Sequence, residues 1–231
     1  MRLALETREV GRVTIVRCNG RIVAGEESES LRAHVTWLLR DRRAIVLHLG
    51  DVAFIDSSGL GTMVRALSST RQVRGDLKLC EVPGHVRKVL ELSQLSKLFD
   101  AHESEEKAVA AFYGPAARTE SSPGKRGTVL CLQRNADVLA YTREVLRSAG
   151  YEVHSSGHLG DGLMLLRVAR FDLVVAGPEM AAALAGSHAA QFERLGVLVV
   201  ETGTEFSTDE AGAAGAGLLE KVGARLGAKS A

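Results

Sequence analysis

Between Gly114 and Gly127 the chain reads GPAARTESSPGKRG. Two of its four prolines fall here, large apolar residues are missing, and Gly, Ser and charge fill the stretch. Such a composition cannot build a core and behaves as a linker. It constrains the fold more than any other feature, because it splits the chain of 231 residues into two pieces of about 100 residues each, near the usual size of a domain. The sequence therefore predicts a domain over 1–113, a flexible linker over 114–127 and a second domain over 128–231.

Both pieces alternate strand-like and helix-like patterns. In the first, Leu3–Thr7 and Val13–Arg17 read as strands parted by Gly11. Leu31, Val35, Leu38 and Leu39 mark a helix over Glu27–Arg40. Ala44–Leu49 is a continuous apolar run, as in a strand covered on both faces. Ser57–Val73 is helical, Leu77–Val82 a strand, and Val86–Leu95 a helix behind Pro83 and Gly84. A short strand near Leu98–Asp100 and a helix over Ser104–Phe112 complete the piece. In the second, strands are expected at Thr128–Gln133, Tyr151–Ser155, Asp172–Ala176 and Val197–Val200. Helices are expected at Asp137–Ala149 and Leu159–Ala169, with a less regular helical stretch after Pro178. The Ala/Gly-rich tail from Asp209 leads into a short terminal helix. The alternation predicts α/β architecture, with parallel strands joined by helical crossovers.

Several function classes are excluded by composition. Apolar residues make up 45% and charged residues 25%, an ordinary globular balance. A net charge of +1 argues against a bulk nucleic-acid or membrane-surface binder. No apolar run reaches membrane-spanning length, and MRLALETREV lacks the apolar centre of a signal peptide, so a cytoplasmic protein is expected. Cys18, Cys80 and Cys131 lie in apolar stretches without C-x-x-C spacing and read as buried reduced thiols. His154 and His158 are four apart but flank the loop-like Ser155-Ser156-Gly157, so no metal is expected. No glycine-rich phosphate motif is present, and no cofactor is implied. Trp37 reads as a packed aromatic of the first helix. The basic clusters Arg40–Arg43 and Arg71–Arg74 lie near helix C-termini, where the helix dipole favours cations.

The most informative stretch is FIDSSGLG, residues 54–61. A strand ends near Ile55 and a helix begins at once. Asp56 or Ser57 is placed to cap that helix by accepting from a first-turn N–H. The free N–H groups and positive dipole of the same end favour phosphate. A phosphate added there would bring roughly −1.5 to −2 charges next to Asp56. The helix tolerates that charge, whereas an acidic or tightly packed partner does not. The G-x-S-x-G pattern of serine hydrolases does not fit around Ser58, because Asp56 stands where its first glycine would be.

Residues 1–113 resemble the STAS domain of bacterial anti-anti-sigma factors, also called anti-sigma factor antagonists. The resemblance is carried by Ile45-Val46-Leu47-His48-Leu49, Asp51-Val52-Ala53-Phe54-Ile55 and Asp56-Ser57-Ser58-Gly59-Leu60-Gly61. Gly20-Arg21-Ile22 upstream and Val89–Leu95 downstream support it. The resemblance implies a mixed sheet with helices packed on it. It also implies phosphorylation of Ser58, with Ser57 the lesser candidate, by an anti-sigma factor that is itself a serine/threonine kinase, and reversal by a phosphatase. Asp56, Ser57, Ser58, Gly59 and Leu60 are then expected at the partner-binding surface. Many kinase-regulated members carry an aspartate where this chain has Val23. Here the acids come later, so Glu26 and Glu27 are expected to face the partner.

Residues 128–231 resemble a response-regulator receiver, which implies a flavodoxin-like parallel sheet. The resemblance rests on Val129–Leu132, Leu146–Val153, Phe171–Ala176 and Ala214–Lys221. A working receiver needs an acid pair for Mg²⁺, a hard cation that wants oxygen ligands, and an acceptor aspartate. The corresponding positions here are Gln133, Arg134 and Gly177, and Lys221 alone matches the active set. The resemblance thus implies a degenerate receiver, suited to docking or to dimer formation rather than to phosphoryl transfer.

Overall fold

The structure is a computed structural model that describes residues 2–114, 126–187, 198–201 and 211–227. The chain divides into two compact units, Met1–Phe112 and Tyr113–Ala231. Apart from Gly114, Arg126 and Gly127, the predicted linker lies outside the described residues.

The first unit runs β1 (Ala4–Val10), β2 (Val13–Ile22), α1 (Glu26–Leu38), β3 (Ala44–Ile55), α2 (Ser57–Gln72), β4 (Asp76–Cys80), α3 (Gly84–Leu92), β5 (Asp100–His102) and α4 (Glu105–Tyr113). The five strands lie in the order β1-β2-β3-β4-β5. β1 pairs antiparallel with β2 through a two-residue turn, and the remaining pairs are parallel. This is the mixed α/β sheet that the resemblance implies.

Burial follows the pleat. Val16 and Cys18 on β2, Ile45, Leu47 and Leu49 on β3, and Leu77 and Leu79 on β4 share one face. Onto that face α1 lays Leu31, Val35 and Leu38, α2 lays Leu60, Met63 and Leu67, and α3 lays Val86 and Leu90. Each fully buried aliphatic side chain of this kind contributes about 1.5–3 kcal/mol. The opposite face is met by α4. Glu105 pairs with Arg8 and lies 3.7 Å from the buried His48, and the Lys78 ammonium sits 5.0 Å from the centre of the Phe112 ring.

The run Ala44–Leu49 and the strand end at Ile55 are one continuous strand, β3, which delivers the chain to α2 as the sequence suggests. One expectation changes in this unit. Trp37, expected to pack, is 58% exposed. The α1 stripe that reaches the sheet runs through Leu31, Val35 and Leu38, and Trp37 falls on the flank beside it, against His34.

The second unit runs β6 (Thr128–Leu132), α5 (Ala136–Ser148), β7 (Glu152–Ser156), α6 (Leu159–Val168), β8 (Leu173–Ala176), α7 (Pro178–Ser187), β9 (Leu198–Glu201) and α8 (Ala211–Gly227). Its strands are all parallel, in the order β7-β6-β8-β9. Asn135 caps α5 by accepting from the N–H groups of Asp137 and Val138, at 2.9 and 3.1 Å. Pro178 opens α7 at the first helical position, where its missing N–H costs nothing. The strand expected to end at Ser155 runs one residue further, so that Ser156, read as loop, completes β7.

The tail differs most from expectation. Instead of a short terminal helix, α8 extends over 17 residues, and the run Ala214–Lys221 is helical throughout. Alanine and leucine are strong helix formers, and Leu218 and Val222, one turn apart, are buried with Val129, Leu146 and Val153. That apolar pair fixes the face the helix presents to the sheet and leaves Lys221 exposed.

Candidate functional site

Parallel pairing of β2 with β3 brings Ile22 opposite Ile55. The two strands therefore end side by side, and α1 and α2 start at the same edge of the sheet. Asp56 is the N-cap of α2, in extended conformation at φ −101° and ψ −179°. Its Oδ1 accepts from Gly59 N–H at 2.7 Å, the usual capping bond. Its Oδ2 accepts from Ala24 N–H at 3.0 Å, across 32 positions of sequence. Its own N–H donates to Ile22 O at 3.3 Å. The Ala24 and Gly59 N–H groups hold the Asp56 carboxyl below the usual carboxylate range.

Because Asp56 carries the cap, the serines do not. Ser57 is exposed and Ser58 half-buried at the first two positions of α2. Neither hydroxyl takes a hydrogen-bond partner among the described residues. They stand at the positive end of a 16-residue helix with no acid in its first turn.

Gly59 and Leu60 were expected at the partner-facing surface, and both are buried. A Cβ on Gly59 would lie 2.1 Å from Ile22 O, closer than any side chain can approach. The glycine is there so that α2 can sit against the end of β2. Leu60 is 6% exposed and belongs to the core. These two residues form the floor beneath the serines.

Glu26 and Glu27 open α1 beside this site. Glu26 is exposed and pairs with Arg2, and Glu27 is half-buried. The α1 start has no side-chain cap; Gly25 turns the chain at φ 98°. Behind it, buried Ser28 donates to Val23 O from both N–H and hydroxyl, at 3.1 and 2.6 Å. The Val23–Glu27 turn is thus held at one end by Ser28 and in its middle by Asp56.

One residue of this edge was not singled out from the sequence. Phe54 is 47% exposed, with the Arg21 guanidinium 5.3 Å from its ring centre. Period-two alternation would bury Phe54 along with Val52. The β2–β3 register shifts between Gly20 and Arg21, so that Gly20 faces Val52 while Arg21 faces Phe54. The irregularity turns Phe54 outward. A reading from periodicity alone has no signal for it.

In the second unit, Gln133 and Arg134 follow β6, and Gly177 follows β8. Gly177 N–H donates to Leu132 O at 2.8 Å and Gln133 N–H to Ser156 O at 3.2 Å. The Gln133 side chain lies over Gly177: a Cβ there would stand 2.4 Å from Nε2 and 2.7 Å from Cδ. Arg134 is exposed, 3.5 Å from Glu179. The structure brings these three residues together. Lys221 lies apart from them in sequence: the run Ala214–Lys221 is part of helix α8, and Lys221 is exposed on it.

Of the remaining chemical candidates, the three cysteines and His154 are buried and His158 is exposed. Cys18, Cys80 and Cys131 are free and buried, and burial pushes each thiol up to about 12. His154 is buried on β7, edge-on to Phe171 at 5.5 Å. Among the described residues no three His, Cys, Asp or Glu side chains group as metal ligands.

Comparison with known proteins gives the site its context. The STAS domain family profile matches residues 4–108. BtrV of Bordetella bronchiseptica, named as an anti-sigma factor antagonist, is 35% identical over 99 residues, which are 42% of this chain and 85% of that protein. The chain belongs to the STAS-domain anti-sigma factor antagonists. Within this family, the anti-sigma F factor antagonist of Paenibacillus polymyxa is 30% identical over 111 residues, covering 47% of this chain and 94% of the relative. The solved structure of the antagonist SpoIIAA in its unphosphorylated form covers 48% of this chain and 99% of its own, at 22% identity and a TM-score of 0.40. No described helix is long and apolar enough to cross a membrane.

Proposed function

We propose that this chain is an anti-sigma factor antagonist that works by partner switching. With Ser58 unmodified it binds an anti-sigma factor and frees the sigma factor; with Ser58 phosphorylated it lets go. The observation that carries this reading is the division of labour at the α2 start. Asp56 caps the helix, so the Ser58 hydroxyl is spare, partly exposed and aimed from an end that suits a dianion. Ser57 stands beside it as the lesser acceptor. The partner would be an anti-sigma factor with serine/threonine kinase activity, meeting Ser57, Ser58, Glu26, Glu27 and Phe54 over the buried floor of Gly59 and Leu60. A phosphatase would reset the switch in the cytoplasm. On this reading the protein is a binding module and a kinase substrate, not an enzyme.

The second unit acts in this reading as a degenerate receiver, serving docking or dimer formation. Support comes from Gln133 over Gly177: the place of the acceptor aspartate is filled by an amide. Acetyl phosphate with Mg²⁺ should leave no acyl-phosphate on the full chain.

The deciding experiment is incubation with an anti-sigma factor of the serine/threonine kinase class and ATP, followed by intact mass and site mapping. One phosphate on the wild type and none on Ser58→Ala is expected. Labelling that survives in Ser58→Ala and disappears in Ser57→Ala would move the switch by one residue. No labelling of any form would leave a phosphorylation-independent scaffold.

A further inference from the structure

Asp56 does more than cap a helix. One carboxylate oxygen holds Gly59 N–H on α2 and the other holds Ala24 N–H in the Val23–Glu27 turn. The two segments are far apart in sequence, and this side chain bonds both. Elsewhere the turn is held through its carbonyls, Val23 O by Ser28 and Gly25 O by Glu29 N–H at 3.1 Å, while α1 has no side-chain cap and a Cβ on Gly25 would meet nothing within 4 Å. Ser58 is two residues beyond Asp56, on the same first helical turn.

We propose that Asp56 is the positioning residue that carries a change at Ser58 to the Val23–Glu27 turn, so that phosphorylation alters both halves of the partner surface. The proposal rests on Ser58 as the modified residue. A phosphate on Ser58 Oγ brings roughly −1.5 to −2 charges and three acceptor oxygens. It competes for the first-turn N–H groups that Asp56 now occupies, and it repels the Asp56 carboxylate. Either effect pulls Oδ2 away from Ala24 N–H. An exposed turn whose middle loses its acceptor changes conformation at little cost, and Glu26 and Glu27 go with it. The local charge change thus acts on a second segment without unfolding the domain.

The test needs no kinase. The full ¹⁵N-labelled chain is made with Ser58 and with phosphoserine incorporated genetically at position 58, each in wild-type and Asp56→Asn backgrounds. Asparagine keeps the shape and can still accept from Gly59, but its NH₂ cannot accept from Ala24 N–H. In the wild type, phosphoserine should shift the amide resonances of Ala24, Gly25 and Glu26 as well as those of residues 57–60. In Asp56→Asn the shifts at 57–60 should remain and those at 24–26 should be lost. Equal shifts at 24–26 in both backgrounds would overturn the proposal. A second measurement uses the native side chain alone. With Ser58 unmodified, the Ala24 and Gly59 amides should titrate together, with one midpoint below the ordinary carboxylate range. With phosphoserine, Ala24 should lose that titration. An Ala24 titration unchanged by phosphoserine would likewise sink the idea. Failure here leaves the kinase experiment on Ser58 intact, and failure of that experiment leaves this coupling measurable.

Discussion

The two sheets place comparable edges in very different states. In the first unit, the carboxyl ends of β2 and β3 open onto two helix starts with a free hydroxyl between them. In the second, the carboxyl ends of β6 and β8 lie at the point where strand order reverses, which in parallel α/β sheets is the usual ligand crevice. Yet that crevice is filled by the Gln133 side chain resting on Gly177. Architecture alone would point to the second unit; in the proposed reading the spare hydroxyl points to the first. What separates them is whether a polar group at the edge is spare. Asp56 takes the structural duty and frees Ser58, whereas Gln133 fills the space that a reactive side chain at 177 would need.

The sharpest way to break the first edge is Gly59→Ala. With backbone, not a flexible side chain, 2.1 Å from the new Cβ, the helix start must move away from β2. The cost should be about 3 kcal/mol, at the top of the range for overpacking, and should show as an earlier denaturant midpoint for the first unit. A cost under about 1 kcal/mol would mean that the floor of the site is soft.

Next in size is Ser58→Asp. It should lower affinity for the anti-sigma partner by roughly a hundredfold, about 2.7 kcal/mol, while stability changes by less than about 1 kcal/mol. Calorimetric titration of wild type, Ser58→Ala and Ser58→Asp measures this. Equal affinities would return the serines to plain surface residues.

Asp56→Ala should cost about 2 kcal/mol, as a lost cap of the stronger kind. Its pH dependence has a definite sign. The folded carboxyl lies below its ordinary value, so its contribution is present above the unfolded pKa of about 3.9. That contribution is lost as pH falls through the folded value. The stability gap between wild type and Asp56→Ala should therefore be constant near neutrality and should close below about pH 4. A gap that widens on acidification would contradict the assignment.

In the second unit Gly177→Ala is the counterpart of Gly59→Ala, and it should cost only about 1 kcal/mol. The atoms it meets are the far end of a glutamine, which can swing away. Combining it with Gln133→Ala should remove most of that penalty. Smallest of all, Trp37→Ala should change stability by less than about 0.5 kcal/mol, since the ring is largely in water. A melting point lowered by many degrees would restore it to the core.

Much of this was readable along the chain. Leu31, Val35 and Leu38 announced α1, the run Ala44–Leu49 announced a strand buried on both faces, and FIDSSGLG announced a strand end, a cap and a helix start. These are local patterns, with periods of two or 3.6 residues, and local geometry enforces them. Phe54 was not readable as an exposed residue, because a shift in β2–β3 register decides which way it points. Trp37 was misread because an aromatic on an apolar-rich helix can lie on the stripe or beside it. The terminal helix was underestimated because its glycines weaken the local signal, while Leu218 and Val222 win their stability from the sheet.

By itself, then, the sequence determined the two α/β units, the order of their elements and the position of Ser58 on a helix start. Those follow from side-chain periodicity, from turn residues and from the chemistry of a motif eight residues long. Only the tertiary structure decided that Asp56 caps alone and reaches Ala24, that Gly59 and Leu60 lie beneath the surface, and that Gln133 occupies the place over Gly177. Each of those is a contact between segments brought together by strand pairing, and a contact between distant segments has no period along the chain.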